Sequence, residues 1–178
     1  MGKREREGLS SSAPRPAWYA LGFLALGALL ADQFSKYAID KLSPAGATHV
    51  VIPGLLNLVH TDNPGVAFGL FADSGKPWLA TILIAFSAAV IALLGWLLAS
   101  GRAGGRLAQC GLALILGGAV GNVFDRVLRK SVTDFIDFYV GSHHWYTFNV
   151  ADAAIVVGAG LVILELIRDW RHPTHEQA

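Results

Sequence analysis

Residues Leu107 to Leu128 read LAQCGLALILGGAVGNVFDRVL. The run is predominantly apolar up to Asn122, and Asp125 and Arg126 then interrupt it near its end. A helix that crosses a bilayer needs about 20 predominantly apolar residues. Ionisable residues in such a helix are costly unless they are paired or hydrated, which makes them candidates for function. The stretch therefore predicts a membrane-spanning helix with functional polar groups at one end.

Three further segments have the length and composition of membrane spans, so that the four spans lie at about 18–39, 77–99, 107–128 and 150–167. Of the 178 residues in the chain, 53% are hydrophobic and only 15% are charged. A soluble domain carries roughly 25% charged residues, so this chain has too few to cover a soluble surface. The formal net charge of +1 argues against nucleic-acid binding. We expect an α-helical membrane protein with four transmembrane helices.

Basic residues near the span ends predict the orientation of the chain. They precede the first span, lie in the link between the second and third, and follow the fourth: Lys3, Arg4, Arg6, Arg15, Arg102, Arg106, Arg168 and Arg171. Cytoplasmic loops are enriched in Lys and Arg, so we expect both termini in the cytoplasm. The chain then divides into a polar N-terminal tail at 1–16, a single membrane domain at 17–171 and a C-terminal tail at 172–178.

The two outer connections, at about 40–76 and 129–149, have the composition of short strands and turns. The first contains THVVIPGLLNLVHTDNPG, in which β-branched runs are broken by Pro-Gly and Asn-Pro-Gly. The second has an extended pattern from Val132 and a turn at Gly141-Ser142. It is also rich in Tyr, Trp and Phe, and Tyr and Trp favour the membrane–water interface. These features predict a small extracytoplasmic β-rich cradle on the outer leaflet.

Two pairs of polar residues lie four apart in the predicted spans. Asp32 and Lys36 share one face of the first helix, where a self-contained ion pair explains them as well as a functional role does. Asn122 and Arg126 share one face of the third and would point into the bundle near its outer surface. A buried Arg needs a carboxylate, and Asp32 is the partner that we expect for Arg126.

Aspartates on the outer side offer a catalytic pair. Two carboxylates held close together share one proton, so that one can act as a general base on water while the other hydrogen-bonds a substrate carbonyl. The candidates are Asp125, Asp134, Asp137 and Asp152. Residue types alone do not choose among them. Helix capping is the simpler interpretation of Asn149 and Asp152, because both residue types favour N-caps.

Other chemistries fit the sequence less well. Cys110 lies within a predicted span, where a packing role is the usual one. His143 and His144 are adjacent, whereas zinc ligands on a helix are spaced four apart. A small cation-coupled transporter and a non-catalytic assembly subunit remain alternatives to an enzyme.

Five motifs then occur in order along the chain. They are DQFSK at 32–36, NPGVAF at 63–68, GGAVGNVFDR at 117–126, VTDFIDF at 132–138 and FNVADA at 148–153. Together they resemble the lipoprotein signal peptidase family, also called signal peptidase II, a family of bacterial inner-membrane aspartyl proteases. The resemblance extends from Trp18 to about Arg168.

The resemblance implies a set of site residues. Asp134 and Asp152 match the two catalytic aspartates. The positions that line the site and hold substrate or partner groups are Asp32, Lys36, Asn63, Gly65, Asn122, Arg126 and Asn149, with Lys36 orienting Asp32. It implies no metal and no cofactor. The segment from Asn63 to Phe71, with its glycines, is the part that we expect to close over a bound peptide as a lid.

The resemblance also implies an activity and a location. The family removes the signal peptide from prolipoproteins whose lipobox cysteine already carries diacylglycerol, and it cuts on the N-terminal side of that cysteine. We therefore expect a multi-pass protein of the bacterial cytoplasmic membrane with its active site at the outer leaflet. Its expected partners are diacylated prolipoproteins and membrane lipid, with no nucleic acid, and we expect a monomer.

Overall fold

The computed structural model describes residues 18–64 and 77–171, with the backbone alone at 77, 79 and 80. Within these ranges the chain forms four helices and four strands. In chain order they are α1 (Trp18–Leu42), β1 (Thr48–Ile52), β2 (Leu56–Asn63), α2 (Pro77–Ala99), α3 (Arg106–Arg129), β3 (Val132–Val140), β4 (His143–His144) and α4 (Val150–Arg171).

The four helices lie where the sequence predicts spans. Helices α1 and α4 extend a few residues past the apolar segments, because the charged residues that follow continue the helical backbone. Among the described residues, three helices are long and apolar enough to cross a membrane, at Thr81–Ala99, Arg106–Arg129 and Val150–Arg171. The prediction of a mainly helical membrane protein with a small sheet is confirmed. The count of four spans and the division at 1–16, 17–171 and 172–178 remain predictions.

The distribution of side chains is the reverse of that in a soluble protein. Asp32 and Lys36 are completely buried, whereas Phe23 and Phe86 are 71% and 69% exposed. Soluble proteins rarely expose large contiguous apolar surfaces or bury charges in this way. Apolar side chains that face outward are suited to contact with lipid.

Helix α3 is central and contacts α1, α2 and α4. A Cβ atom at Gly117 would lie 2.3 Å from the Ala25 carbonyl oxygen of α1, and one at Gly118 would lie 2.4 Å from the Ala151 carbonyl oxygen of α4. Small residues permit this close approach of helices in membranes. The contacts bring the polar ends of α1, α3 and α4 together.

The sheet lies beyond the end of α3. Its strand order is β1-β2-β3-β4, and all neighbours are antiparallel. Lys130 adopts a left-handed conformation with φ 66° and ends α3, so that β3 begins two residues later and Asp134 lies near its start. The predicted turn at Gly141-Ser142 is confirmed as the two-residue link between β3 and β4.

Candidate active site

Asp134 lies in β3 with both carboxylate oxygens bonded to side-chain amides. Asn63 donates to its Oδ2 at 2.9 Å, and Asn149 donates to its Oδ1 at 2.7 Å. Asn63 reaches it from the neighbouring strand, because the β2–β3 register pairs Asn63 with Val132, two residues before Asp134. The side chain is 2% exposed. Strand pairing therefore sets the position of this carboxylate.

Asp152 lies in the first turn of α4 and is bonded to α3 and to the start of its own helix. Asn122 donates to its Oδ1 at 2.9 Å. The backbone N–H of Asn149 donates to Asp152 Oδ2 at 3.4 Å. In return, the backbone N–H of Asp152 donates to Asn149 Oδ1 at 3.0 Å. This reciprocal pair is a capping box. The capping interpretation of Asn149 and Asp152 is therefore confirmed, and the same two side chains also face the candidate site.

Two asparagines connect the carboxylates of Asp134 and Asp152. The side-chain amide of Asn149 donates both to Asp134 and, at 3.3 Å, to Asn122 Oδ1. Asn122 in turn donates to Asp152. Asp134 and Asp152 also line one cavity, which has a volume of about 610 Å³. Its remaining lining residues are Asn63, Asn122, Arg126, Val132, Trp145, Tyr146, Thr147, Phe148, Ala153, Ile155, Val156 and Val157.

The surroundings of Asp134 favour its protonated form. Burial raises the pKa of Asp134 from its ordinary value of 3.8 to about 6. The hydrogen bond from Asn63 opposes that rise in pKa, the negative charge of Asp152 adds to it, and Asn149 and Lys36 oppose it. A carboxyl group with this pKa can hold or release a proton near neutral pH, as acid–base catalysis requires.

Asp32, Lys36 and Asp125 form a buried ion cluster beside the cavity. The Lys36 ammonium lies 2.8 Å from Asp32 Oδ2 and 2.6 Å from Asp125 Oδ2. It also donates to Asn122 Oδ1 at 3.0 Å. The Asp32–Lys36 pair is therefore not self-contained. It joins α1 to α3, and Asp125 belongs to this cluster and not to the cavity lining.

Arg126 lines the cavity and lies in the electric field of Asp152, Asp134 and Asp125. Its Nη1 donates to the Asn122 carbonyl oxygen at 3.3 Å. In the described part of the chain, the carboxylate of Asp32 bonds to Lys36, Gln33 and the backbone N–H of Ala151. The prediction that Asp32 pairs with Arg126 is wrong, because Lys36, one helical turn away, takes that carboxylate.

Several residues that the sequence analysis names do not line the cavity or lie outside the described residues. Asp137 is buried on the other face of β3, where it accepts from Asn57 at 2.8 Å and pairs with His144 at 3.0 Å. His143 is exposed in β4. Gly65 and most of the predicted lid, residues 65–71, lie outside the described residues.

The apolar wall of the cavity was missed by sequence reasoning. Ile155 and Val156 follow Asp152 by three and four residues, so the 3.6-residue helical period places them on its face of α4. That spacing was the available signal. Trp145 and Tyr146 join this wall from the loop after β4, where the sequence predicts only interfacial aromatics.

Comparisons with known proteins give a family and a shared fold. A family model described as signal peptidase (SPase) II matches residues 24–168. A lipoprotein signal peptidase from Solibacter usitatus is 44% identical over 158 residues, which is 89% of this chain and 96% of that protein. One from Cupriavidus taiwanensis is 42% identical over 169 residues, 95% of this chain and 92% of that protein. A solved bacterial membrane enzyme shares the fold with a TM-score of 0.78 at 28% identity, covering 90% of this chain and 94% of that one.

Proposed function

The chain belongs to the signal peptidase II family, and we propose that it is a membrane aspartyl endopeptidase that removes the signal peptide from diacylglyceryl-modified prolipoproteins. Cleavage occurs on the N-terminal side of the lipid-modified cysteine. The observation that carries the assignment of the site is that Asp134 and Asp152 line one cavity and are connected through Asn122 and Asn149. We propose these two aspartates as the catalytic pair.

The chemistry follows from one proton shared between two carboxylates. The ionised carboxylate removes a proton from a water molecule, whose oxygen attacks the carbonyl carbon of the scissile peptide bond. The protonated carboxyl group donates to the carbonyl oxygen and stabilises the tetrahedral intermediate. When that intermediate collapses, the C–N bond breaks and a proton passes to the leaving nitrogen. The products are a signal peptide with a free carboxyl group and a lipoprotein whose cysteine carries a free amino group.

The remaining cavity residues bind and orient the peptide in this proposal. Asn63 and Arg126 line the cavity and supply N–H donors for substrate backbone carbonyl groups. Gly65 is included among the proposed substrate-binding residues on its match to the family motif alone. The apolar wall that includes Ile155 and Val156 suits the apolar part of the substrate. Asn122 and Asn149 hold the two aspartates in place.

The location in the membrane is part of the proposal. Helix α1 spans the membrane in addition to the three more apolar helices, and both termini lie in the cytoplasm. Residues 17–171 act as one unit, as a monomer surrounded by lipid. The candidate site lies where α3 ends and the sheet begins. This position, at the outer leaflet of the cytoplasmic membrane, suits a scissile bond next to a cysteine that two acyl chains anchor in that leaflet.

Purified full-length protein should cleave a synthetic lipobox peptide that carries a diacylglyceryl cysteine, and mass spectrometry should identify the cysteine as the new N-terminus. The same peptide with an unmodified cysteine is the control and should remain intact. Cleavage should persist in the presence of a metal chelator. No cleavage of the lipidated peptide, or inhibition by the chelator, would contradict the proposed function.

A further inference from the structure

Resting on the proposed function, we infer that Lys36 is a positioning residue that fixes the side-chain amide of Asn122 so that its N–H group faces Asp152. Lys36 contacts neither proposed catalytic carboxylate by hydrogen bond or ion pair in the described structure. Its charge acts on the pKa of Asp134, but its hydrogen-bonded connection to Asp152 passes through Asn122.

The ammonium group of Lys36 lies among three side-chain oxygen atoms. Lys36 is completely buried, and its Nζ contacts Asp32 Oδ2 at 2.8 Å, Asp125 Oδ2 at 2.6 Å and Asn122 Oδ1 at 3.0 Å. An ammonium group has three N–H donors and no acceptor. It can therefore donate only to acceptor atoms, and it donates to Asp32 and Asn122, while its contact with Asp125 is an ion pair.

This requirement decides the orientation of the Asn122 amide. Its Oδ1 accepts from Lys36 and from Asn149, so its Nδ2 points to Asp152 Oδ1 at 2.9 Å. A flipped amide would place its NH₂ group against two donors and its oxygen against a carboxylate. Each buried donor left without an acceptor costs about 1–3 kcal/mol. Only the observed orientation gives Asp152 Oδ1 a donor from Asn122.

The two aspartates of the ion cluster hold Lys36 in place. Gln33 donates to Asp32 Oδ2 at 3.1 Å and to Asp125 Oδ1 at 3.2 Å, so that it bridges both carboxylates. Asp32 Oδ1 accepts the backbone N–H of Ala151 at 2.9 Å, next to Asp152 in the first turn of α4. The cluster is thus connected to all three helices around the site. Its two carboxylates more than offset the single ammonium charge, while one Lys36 donor is directed at Asn122.

The test removes the Lys36 donor without leaving unbalanced buried charges. Lys36→Met alone would strand two carboxylates and risks misfolding. A triple variant, Asp32→Asn with Lys36→Met and Asp125→Asn, leaves the cluster neutral. We expect its kcat/KM for the lipidated peptide to fall by about 100-fold, as is typical when one oriented hydrogen-bond donor is lost from an active site. Lys41→Met, an exposed change on the last turn of α1, is the matched control and should behave as wild type.

A double-mutant cycle with Asn122→Ala shows whether Lys36 acts through Asn122. We expect Asn122→Ala to lose about as much activity as the triple variant, and the two changes combined to lose no more than about threefold beyond Asn122→Ala alone. In each variant the acid limb of the kcat/KM profile should move to higher pH, because ionised Asp152 has lost a donor.

Additive losses in the cycle, or a triple variant with wild-type activity and pH profile, would overturn the inference. Thermal unfolding of every variant separates a loss of fold from a loss of orientation. The Asp32→Asn/Asp125→Asn pair of changes combined with Lys36→Leu gives a second neutral cluster without a donor, which should behave as the Met version does. The wild-type protein is assayed in parallel. Failure of the wild type to cleave would count against the proposed function, whereas a failed cycle beside an active wild type counts against the role of Lys36 alone.

Discussion

The side-chain amide of Asn149 donates to Asp134 Oδ1 at 2.7 Å. The oxygen of the same amide accepts the backbone N–H of Asp152 at 3.0 Å and so caps α4. One asparagine therefore starts the helix that carries one proposed catalytic carboxylate and orients the other. Asn149 therefore serves both as a helix cap and as a donor to a proposed catalytic carboxylate.

The two roles of Asn149 can be separated by substitution. Asn149→Ser keeps an N-cap oxygen but removes the amide donor to Asp134, so we expect near wild-type stability and a loss of about 100-fold in kcat/KM. Asn149→Ala should lose that activity and, in addition, about 1 kcal/mol of stability with the cap. Thermal unfolding in detergent and peptide cleavage measure the two effects. Wild-type kcat/KM in Asn149→Ser would show that the Asp134 contact is dispensable.

Removal of the Asn63 donor should change the pH dependence of the reaction. The pKa of Asp134 is about 6, and the hydrogen bond from Asn63 lowers it. Without that donor the ionised form is less stable, so Asn63→Ala should move the kinetic titration near pH 6 to higher pH. The measurement is kcat/KM of the full-length protein across the acid and neutral range. A titration that stays in place or moves to lower pH would be inconsistent with the geometry.

Neutralising Asp134 should stabilise the fold at neutral pH. Its folded-state pKa of about 6 lies above its ordinary value of 3.8, so the folded protein binds the proton more tightly and loses stability as pH rises through this range. An asparagine side chain does not titrate, so the stability of Asp134→Asn lacks this contribution to its pH dependence. The stability advantage of Asp134→Asn over wild type should therefore grow by up to about 3 kcal/mol between acid and neutral pH.

Denaturation of wild type and Asp134→Asn at acid and at neutral pH tests this expectation. An advantage that shrinks with rising pH would contradict the assignment of a raised pKa to Asp134.

Much of the architecture follows from sequence because hydropathy directly reflects the need for apolar helices in lipid. The turn at Gly141-Ser142 and the capping pair of Asn149 and Asp152 were also predictable, because they depend on local backbone chemistry.

The pairing of Lys36 with Asp32 was predictable from their spacing, but the contacts of Lys36 with α3 and the partners of Arg126 were not. They depend on the rotation of α1, α3 and α4 about their axes, which glycine contacts between helices determine. Asp134 and Asp137 are three apart in one strand, and so they face opposite sides of the sheet. Only the pairing of β2 with β3 shows that Asn63 lies beside Asp134, whereas Asn57 lies beside Asp137.

The close contact of α3 with α4 gives a prediction about stability. A Cβ atom at Gly118 would lie 2.4 Å from the Ala151 carbonyl oxygen, a backbone atom that cannot move alone. Gly118→Ala should therefore destabilise the protein by about 1–3 kcal/mol and reduce activity, because Asp152 lies in the same turn as Ala151.

Gly160→Ala is the matched control on α4, where a Cβ atom would meet nothing within 4 Å. It should be neutral or stabilising by about 0.5–1 kcal/mol. Equal thermal unfolding of the two variants would show that the helices do not pack as closely as described.

The most direct test of the central claim is cleavage of the diacylglyceryl lipobox peptide by three variants, Asp134→Asn, Asp152→Asn and Asp137→Asn. All three replace a carboxylate of the same region by its isosteric amide, but only Asp134 and Asp152 line the cavity. The account predicts that Asp134→Asn and Asp152→Asn each abolish cleavage, while Asp137→Asn retains it. Cleavage at the wild-type rate by either of the first two variants, in protein that unfolds at or above the wild-type temperature, would contradict it.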